Sequence, residues 1–90
     1  MFILDAVADL TLIKKSISIG IDANDLSLGF YFYNSTNYTE GKNLPFDGGG
    51  FILCFECLAS RRVQIAIDSY CTKMKIRTLW GNSWYGWKEL

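Results

Sequence analysis

Several groups of residues in this chain have the types and spacing for chemistry. Cys54-Phe55-Glu56-Cys57 has the spelling of a redox or zinc pair. Such a pair needs both sulfurs to converge, at a helix start or a knuckle turn. Here the surrounding residues are apolar and strand-like, and strand positions i and i+3 point to opposite faces. Only one further cysteine, Cys71, exists, and there is no histidine to complete a ligand set. The thiols therefore read as reduced, apolar groups, not a metal or redox centre. Asp22-Ala23-Asn24-Asp25 resembles the first residues of a calcium loop. The next alternating ligand positions are filled by Leu26 and Leu28, so the segment reads as a turn or single helical turn capped by Asp22 or Asn24. Without histidine, Ser-His-Asp and Cys-His nucleophile systems are excluded. There are nine acids, but nothing in their spacing pairs two across a cleft as glycoside cleavage requires. No metal, no cofactor and no enzymatic activity are expected.

The aromatic residues are the most informative set. Trp80, Trp84 and Trp87 fall close together with Tyr85 among them. Gly81, Asn82 and Gly86 argue against a helix there. In a strand, Trp84 and Trp87 would point to opposite faces, one packed inward and one at a surface or subunit interface. Flat rings serve as core area and also as stacking faces for sugars or protein partners. Trp80, expected in a turn, is the tryptophan best placed for contact. Lys73, Lys75 and Arg77 form a basic row. With Tyr31 and Tyr33 it could imitate a platform for single-stranded nucleic acid. A solvated face pairing with acidic residues accounts for it better.

These residues need elements to position them. Residues 2–15 have apolar positions near helical spacing, Ile3, Ala6, Val7, Leu10 and Ile13, followed by Lys14 and Lys15; they predict a short helix or the last piece of an upstream stalk. From Ser16 the period becomes two, with Ile17, Ile19 and Ile21 on one face of a strand. Gly29 opens a strand in which Phe30 and Phe32 share one face and Tyr31 and Tyr33 the other. Residues 34–49 predict the longest loop, a candidate functional surface. Residues 50–57 predict a strand apolar on both faces, hence central or buried between subunits. Arg62 to Asp68 alternates again, with Val63, Ile65 and Ile67 expected inward. Ser69 to Thr72 reads as a turn. Met74 and Ile76 then face away from Lys73, Lys75 and Arg77, and a tight turn and short strand end the chain. Short strands separated by turn signals predict an antiparallel all-β domain.

Composition bounds the rest. Ninety residues make one small domain, with a core that covers only about 60% of the unfolded surface. Half the residues are hydrophobic and the mean hydropathy is +0.13. That is more apolar surface than one thin core hides, and it predicts self-association or a large binding face. Net charge is zero, which gives no bulk support to polyanion binding. The charge is nonetheless divided: residues 1–56 carry net −4 and residues 57–90 net +4. That split suits pairing within or between subunits, and equally two solvated faces that differ by chance. No secretory leader and no membrane span are read, and the three cysteines suit a reducing cytoplasm.

The order of motifs resembles a known family. Asp22-x-Asn24-Asp25-Leu26 is followed by Gly29-Phe30-Tyr31, Leu44-Pro45 with a glycine run, and Gly50-Phe51-Ile52-Leu53. Then come Arg62-Val63-x-Ile65, Ile76-Arg77-Thr78, and Gly81-x-x-Trp84-x-x-Trp87-Lys88-x-Leu90. This set, over residues 17–90, resembles the pyocin-knob domain of phage tail fibres and R-type pyocin fibres; Gln64 also matches a glutamine of such knobs. Lys75 departs from the pattern, standing where these knobs often carry an aromatic.

The resemblance implies a small all-β knob at 17–90, an antiparallel sheet or sandwich, with residues 1–16 a shaft remnant or short helix. It implies a homotrimer near the tip of a virion or prophage-derived fibre, made in the bacterial cytoplasm. That fibre would touch a bacterial surface polysaccharide without binding nucleic acid or inserting in a membrane. Trp80, Tyr85 and Tyr38 are the candidate ring faces for sugar, and Arg77 the candidate donor to hydroxyl or acidic groups. The alternatives are a trimerisation module with no receptor site of its own, and a nucleic-acid-binding β domain.

Overall fold

The computed structural model describes residues 14–16, 20–58 and 60–90. Seven strands are described: β1 (Lys14–Ser16), β2 (Gly29–Asn34), β3 (Gly49–Leu58), β4 (Arg61–Asp68), β5 (Met74–Trp80), β6 (Ser83–Trp84) and β7 (Lys88–Glu89). They form one sheet in the order β1-β2-β3-β4-β5-β6, with β7 also on β5. Pairing from β2 onward is antiparallel, and β1 lies parallel to β2. The all-β expectation holds, as a single sheet. The helix expected over residues 2–15 lies outside the described residues, apart from Lys14 and Lys15, which stand in β1. Of the strand expected from Ser16, Ile17 and Ile19 also lie outside them, and Ile21 is in a loop.

Period two gives the sheet two faces. On one, β2 points Tyr31 and Tyr33 into the core, β3 Ile52 and Cys54, and β4 Gln64 and Ala66. Two segments cover this face: a 3-10 turn, Ala23–Asp25, and the loop at 41–46. They are tied to each other by Ala23 N–H to the Lys42 carbonyl (3.0 Å) and Lys42 N–H to the Ile21 carbonyl (3.0 Å). Asp22 caps the 3-10 turn, accepting from the Asn24 amide at 2.9 Å, as turn chemistry predicts. Leu26, Leu44 and Phe46 complete the core beneath the cover.

The second face is apolar and uncovered by any described element. Register aligns Phe30, Leu53, Ile65 and Ile76 in one row, and Phe32, Phe51, Ile67 and Met74 in the next. Phe30 and Phe51 stack with centroids 5.9 Å apart, and Phe32 and Phe51 meet at 5.5 Å. Phe30, Phe32, Phe55 and Met74 are 38–44% exposed, far above core levels. Val63, Ile65 and Ile67 belong to this face, so the expectation that they point inward is corrected. The reason is local: β3 is apolar on both sides, and Gln64 and Ala66 are the residues in register with its core-facing Cys54 and Ile52.

The predicted loop at 34–49 contains a helix, α1 (Ser35–Glu40). Asn34 and Asn37 form a reciprocal cap, each side-chain oxygen accepting the other's backbone N–H at 2.9 Å, the geometry of a capping box. Below α1, the Tyr33 hydroxyl donates to the Phe46 carbonyl (3.1 Å) and accepts from the Phe46 amide (2.8 Å). One side chain thus satisfies both backbone groups of a buried loop residue. Gly49 begins β3 at φ 91°, with Tyr33 O only 2.7 Å from where a Cβ would sit. The turn at Ser69–Thr72 is as expected, anchored by the Asp68 carboxylate.

Candidate functional site

The candidate residues are distributed over the two ends of the sheet. At the β3–β4 hairpin end, β5 finishes in Trp80, which is 63% exposed. The Arg61 guanidinium lies 3.7 Å from the centre of its ring. A planar cation over an indole is attractive, and it also holds the ring in one orientation. Tyr85 follows β6 and is equally exposed at 63%; its amide donates to the Thr78 carbonyl at 3.0 Å. Tyr38 lies in α1, 39% exposed, at the opposite end of the sheet beside the start of β3. The structure therefore brings Trp80 and Tyr85 to one end and leaves Tyr38 apart from them.

Arg77 is placed differently from a surface donor. It is only 5% exposed, with its guanidinium 4.1 Å from the Trp84 ring and 4.7 Å from the Trp87 ring. Nε donates to Gln64 Oε1 at 2.8 Å, and Gln64 in turn donates to the Ala23 carbonyl at 2.8 Å. Burial lowers its pKa to about 10, against the pull of Asp22. Trp87 is fixed from its other end, its indole N–H donating to the Asn43 carbonyl at 2.8 Å. The expectation that Trp84 and Trp87 point to opposite faces is corrected. Residues 85–87 leave the strand, the alternation is interrupted, and both rings return to one cation. Arg77 thus positions the aromatic segment of the C-terminus.

The basic row is likewise dispersed. Lys75 donates to the Pro45 carbonyl at 2.9 Å and lies over the Phe46 ring. Tyr31 and Tyr33 are 5% and 0% exposed. A strand platform for single-stranded nucleic acid needs its rings and cations on the surface, and Tyr31, Tyr33 and Arg77 are inside. Cys54 is buried and Cys57 exposed, on different sides of β3. Desolvation pushes the Cys54 thiol up, away from the reactive thiolate. Among the described residues, no helix is long and apolar enough to cross a membrane.

The hairpin end carries two hollows, one on each side of the sheet. The first, about 510 Å³, is apolar and continues the uncovered face, with Leu28, Phe55, Val63 and Trp80 in its walls. The second, about 570 Å³, lies on the core side between the 3-10 turn and the β5–β6 turn, with Asp25, Asn82 and Trp84 in its walls. Sequence reasoning did not find this second group. Asn24 and Asp25 carried only a turn signal, and nothing local relates them to Asn82.

No protein-family model matches the sequence, and no curated protein matches it significantly. Solved structures do match its shape. The chain superposes on the C-terminal part of the R1 pyocin fibre of Pseudomonas aeruginosa with a TM-score of 0.76 at 20% identity, over 84% of this chain. An N-truncated R2-type pyocin tail fibre gives a TM-score of 0.78 at 14% identity, also over 84%. This chain has the fold of a pyocin-fibre module. It spans 21% of the R1 fibre structure and 31% of the truncated R2 structure.

Proposed function

We propose that this chain is a non-enzymatic module of a tail fibre on a phage or prophage-derived particle, that copies assemble through the apolar sheet face, and that the assembly contacts a bacterial surface glycan. The observation that carries the reading is the combination of a pyocin-fibre fold with a sheet face of two apolar rows left open. Exposed apolar surface of this extent marks an interaction site. Stable protein interfaces bury roughly 800 Å² per partner, and a face spanning four strands is of that order. The number three follows the pyocin-knob resemblance.

Glycan contact falls to the exposed rings, Trp80 and Tyr85 at the hairpin end and Tyr38 on α1, with Arg77 holding Trp84 and Trp87 in place. Single contacts of this kind are weak. Linked copies raise the effective concentration, so a fibre needs only shallow sites. The chain would be made in the bacterial cytoplasm and carried on the particle.

The test is the mass of the purified chain by sedimentation together with its binding to a panel of bacterial cells. A trimer that binds cells supports the whole reading. A trimer that binds no cell favours a purely structural module. A monomer at high concentration overturns the assembly. Phe32→Glu, on the open face, is expected to give a folded monomer.

A further inference from the structure

The polar hollow at the hairpin end carries more than the exposed rings do. Asp25 and Asn82 are both exposed on its rim, and neither side chain makes a hydrogen bond among the described residues. Trp84 forms a wall, its ring held on one side by Arg77 at 4.1 Å. Beneath lie two polar atoms without a hydrogen-bond partner, Asn24 Oδ1 and Arg62 Nε. Arg62 gives its Nη1 to the Leu26 carbonyl at 3.0 Å, and its Nε is 3.7 Å from Glu56 Oε2, beyond hydrogen-bond distance. Buried polar groups without partners are rare and costly in folded proteins. Arg62 Nε keeps the Glu56 carboxylate as its ion-pair partner, so the groups open to a ligand in this hollow are the rim side chains Asp25 and Asn82 and the Trp84 ring.

We infer that this hollow binds a single neutral pyranose unit. A sugar hydroxyl both donates and accepts. It can give to the Asp25 carboxylate, pair either way with the Asn82 amide, and present a ring C–H face to Trp84. Arg62 is paired with Glu56, which leaves Asp25 as the uncompensated charge in the lining, so a phosphate or a polyanion gains no net attraction. An extended peptide finds little free edge, because Leu79 and Trp80 already pair with β6 and Thr78 accepts from Tyr85. Asn24 Oδ1 and Arg62 Nε are closed to water in the free chain. Engaging them requires a side-chain rotation, whereas engaging Asp25 and Asn82 does not.

This inference rests on the glycan-contacting reading and is tested apart from it. The isotope-labelled full chain is titrated, while its amide and indole resonances are followed, with methyl glycosides of neutral hexoses and N-acetylhexosamines. A hexuronic acid serves as the charged comparator. Saturable shifts are expected at Gly81, Asn82 and the Trp84 indole, with the hexuronic acid weaker. Asp25→Ala and Asn82→Ala should each weaken binding about fivefold, the loss of roughly one hydrogen bond. Tyr70→Ala, at the other end of the sheet, should leave it unchanged. The inference is overturned if no glycoside shifts these resonances, if the shifts fall elsewhere, or if both rim variants bind as the parent does. Cell binding measured in parallel separates the two readings. A parent chain that binds cells as well as Asp25→Ala does leaves the receptor reading standing without this hollow. A folded assembly that binds no cell removes the receptor reading itself.

Discussion

Gln64 accepts the Nε–H of Arg77 at 2.8 Å, and both side chains are shut away from solvent, at 0% and 5% exposure. The glutamine therefore serves two masters, since its own amide is given to the Ala23 carbonyl. Gln64→Leu keeps the volume and removes both bonds, leaving the buried Arg77 Nε–H without its acceptor and the Ala23 carbonyl with the Leu26 amide alone. A loss of about 2–4 kcal/mol is expected. Urea denaturation at fixed protomer concentration measures it, and a variant as stable as the parent would exclude the role given to Gln64.

The Tyr33 hydroxyl bonds to both backbone groups of Phe46. Tyr33→Phe is expected to cost about 1–3 kcal/mol, since the Phe46 amide is left buried without a partner. Desolvation raises the phenol's pKa well above its ordinary value of 10. With the folded pKa raised, stability is complete below pH 10 and is lost as pH climbs past it, because the unfolded chain releases the proton first. In an alkaline absorbance titration, one tyrosine should ionise only when the fold is lost. Five ionising together in the folded chain would contradict this.

Asp68 accepts from the Thr72 hydroxyl (2.6 Å), the Thr72 amide (2.7 Å) and the Lys73 amide (3.0 Å). The Thr72 hydrogen bond is the main cause holding its pKa below the ordinary 3.8. For a lowered carboxyl, the stabilising effect is complete above pH 3.8 and is lost as pH falls through the folded value. Asp68→Asn should flatten part of the acid limb of a stability-against-pH curve while changing little else in its shape. An acid limb identical to the parent's would contradict the assignment.

Gly49 combines φ 91° with the Tyr33 carbonyl 2.7 Å from a hypothetical Cβ. Gly49→Ala is therefore penalised by backbone conformation and by contact. A loss of about 1–3 kcal/mol is expected, read from the thermal midpoint. Gly48→Ala is the comparison, since nothing lies within 4 Å of its Cβ position; it should be nearly neutral.

Strand alternation was legible where the two sides of a strand differ in kind. Tyr31 and Tyr33 opposite Phe30 and Phe32, and Met74 and Ile76 opposite Lys75 and Arg77, are read from period two alone. The direction of β4 was not, because hydrophobicity favoured Val63, Ile65 and Ile67 for the interior, and an interior glutamine needs a partner 13 residues away. Helix α1 was hidden because six residues are too few for helical periodicity to register, and its stability comes from end caps and docking. At the candidate site, the expectation of Trp80 in a turn is corrected: it is the last residue of β5, and it is exposed at the strand's end. The approach of Asp25 to Asn82 depends on the whole sheet and leaves no local mark.

A β-sheet ordinarily tells inside from outside by which side is oily, so a one-residue slip is forbidden by solvent. With oil on both sides of β3, that compass is lost. Orientation then passes to hydrophilic groups: Gln64 and Arg77 find partners on only one side, and turning either strand over would strand them. The polar pair acts as the key that decides which surface remains available for neighbours.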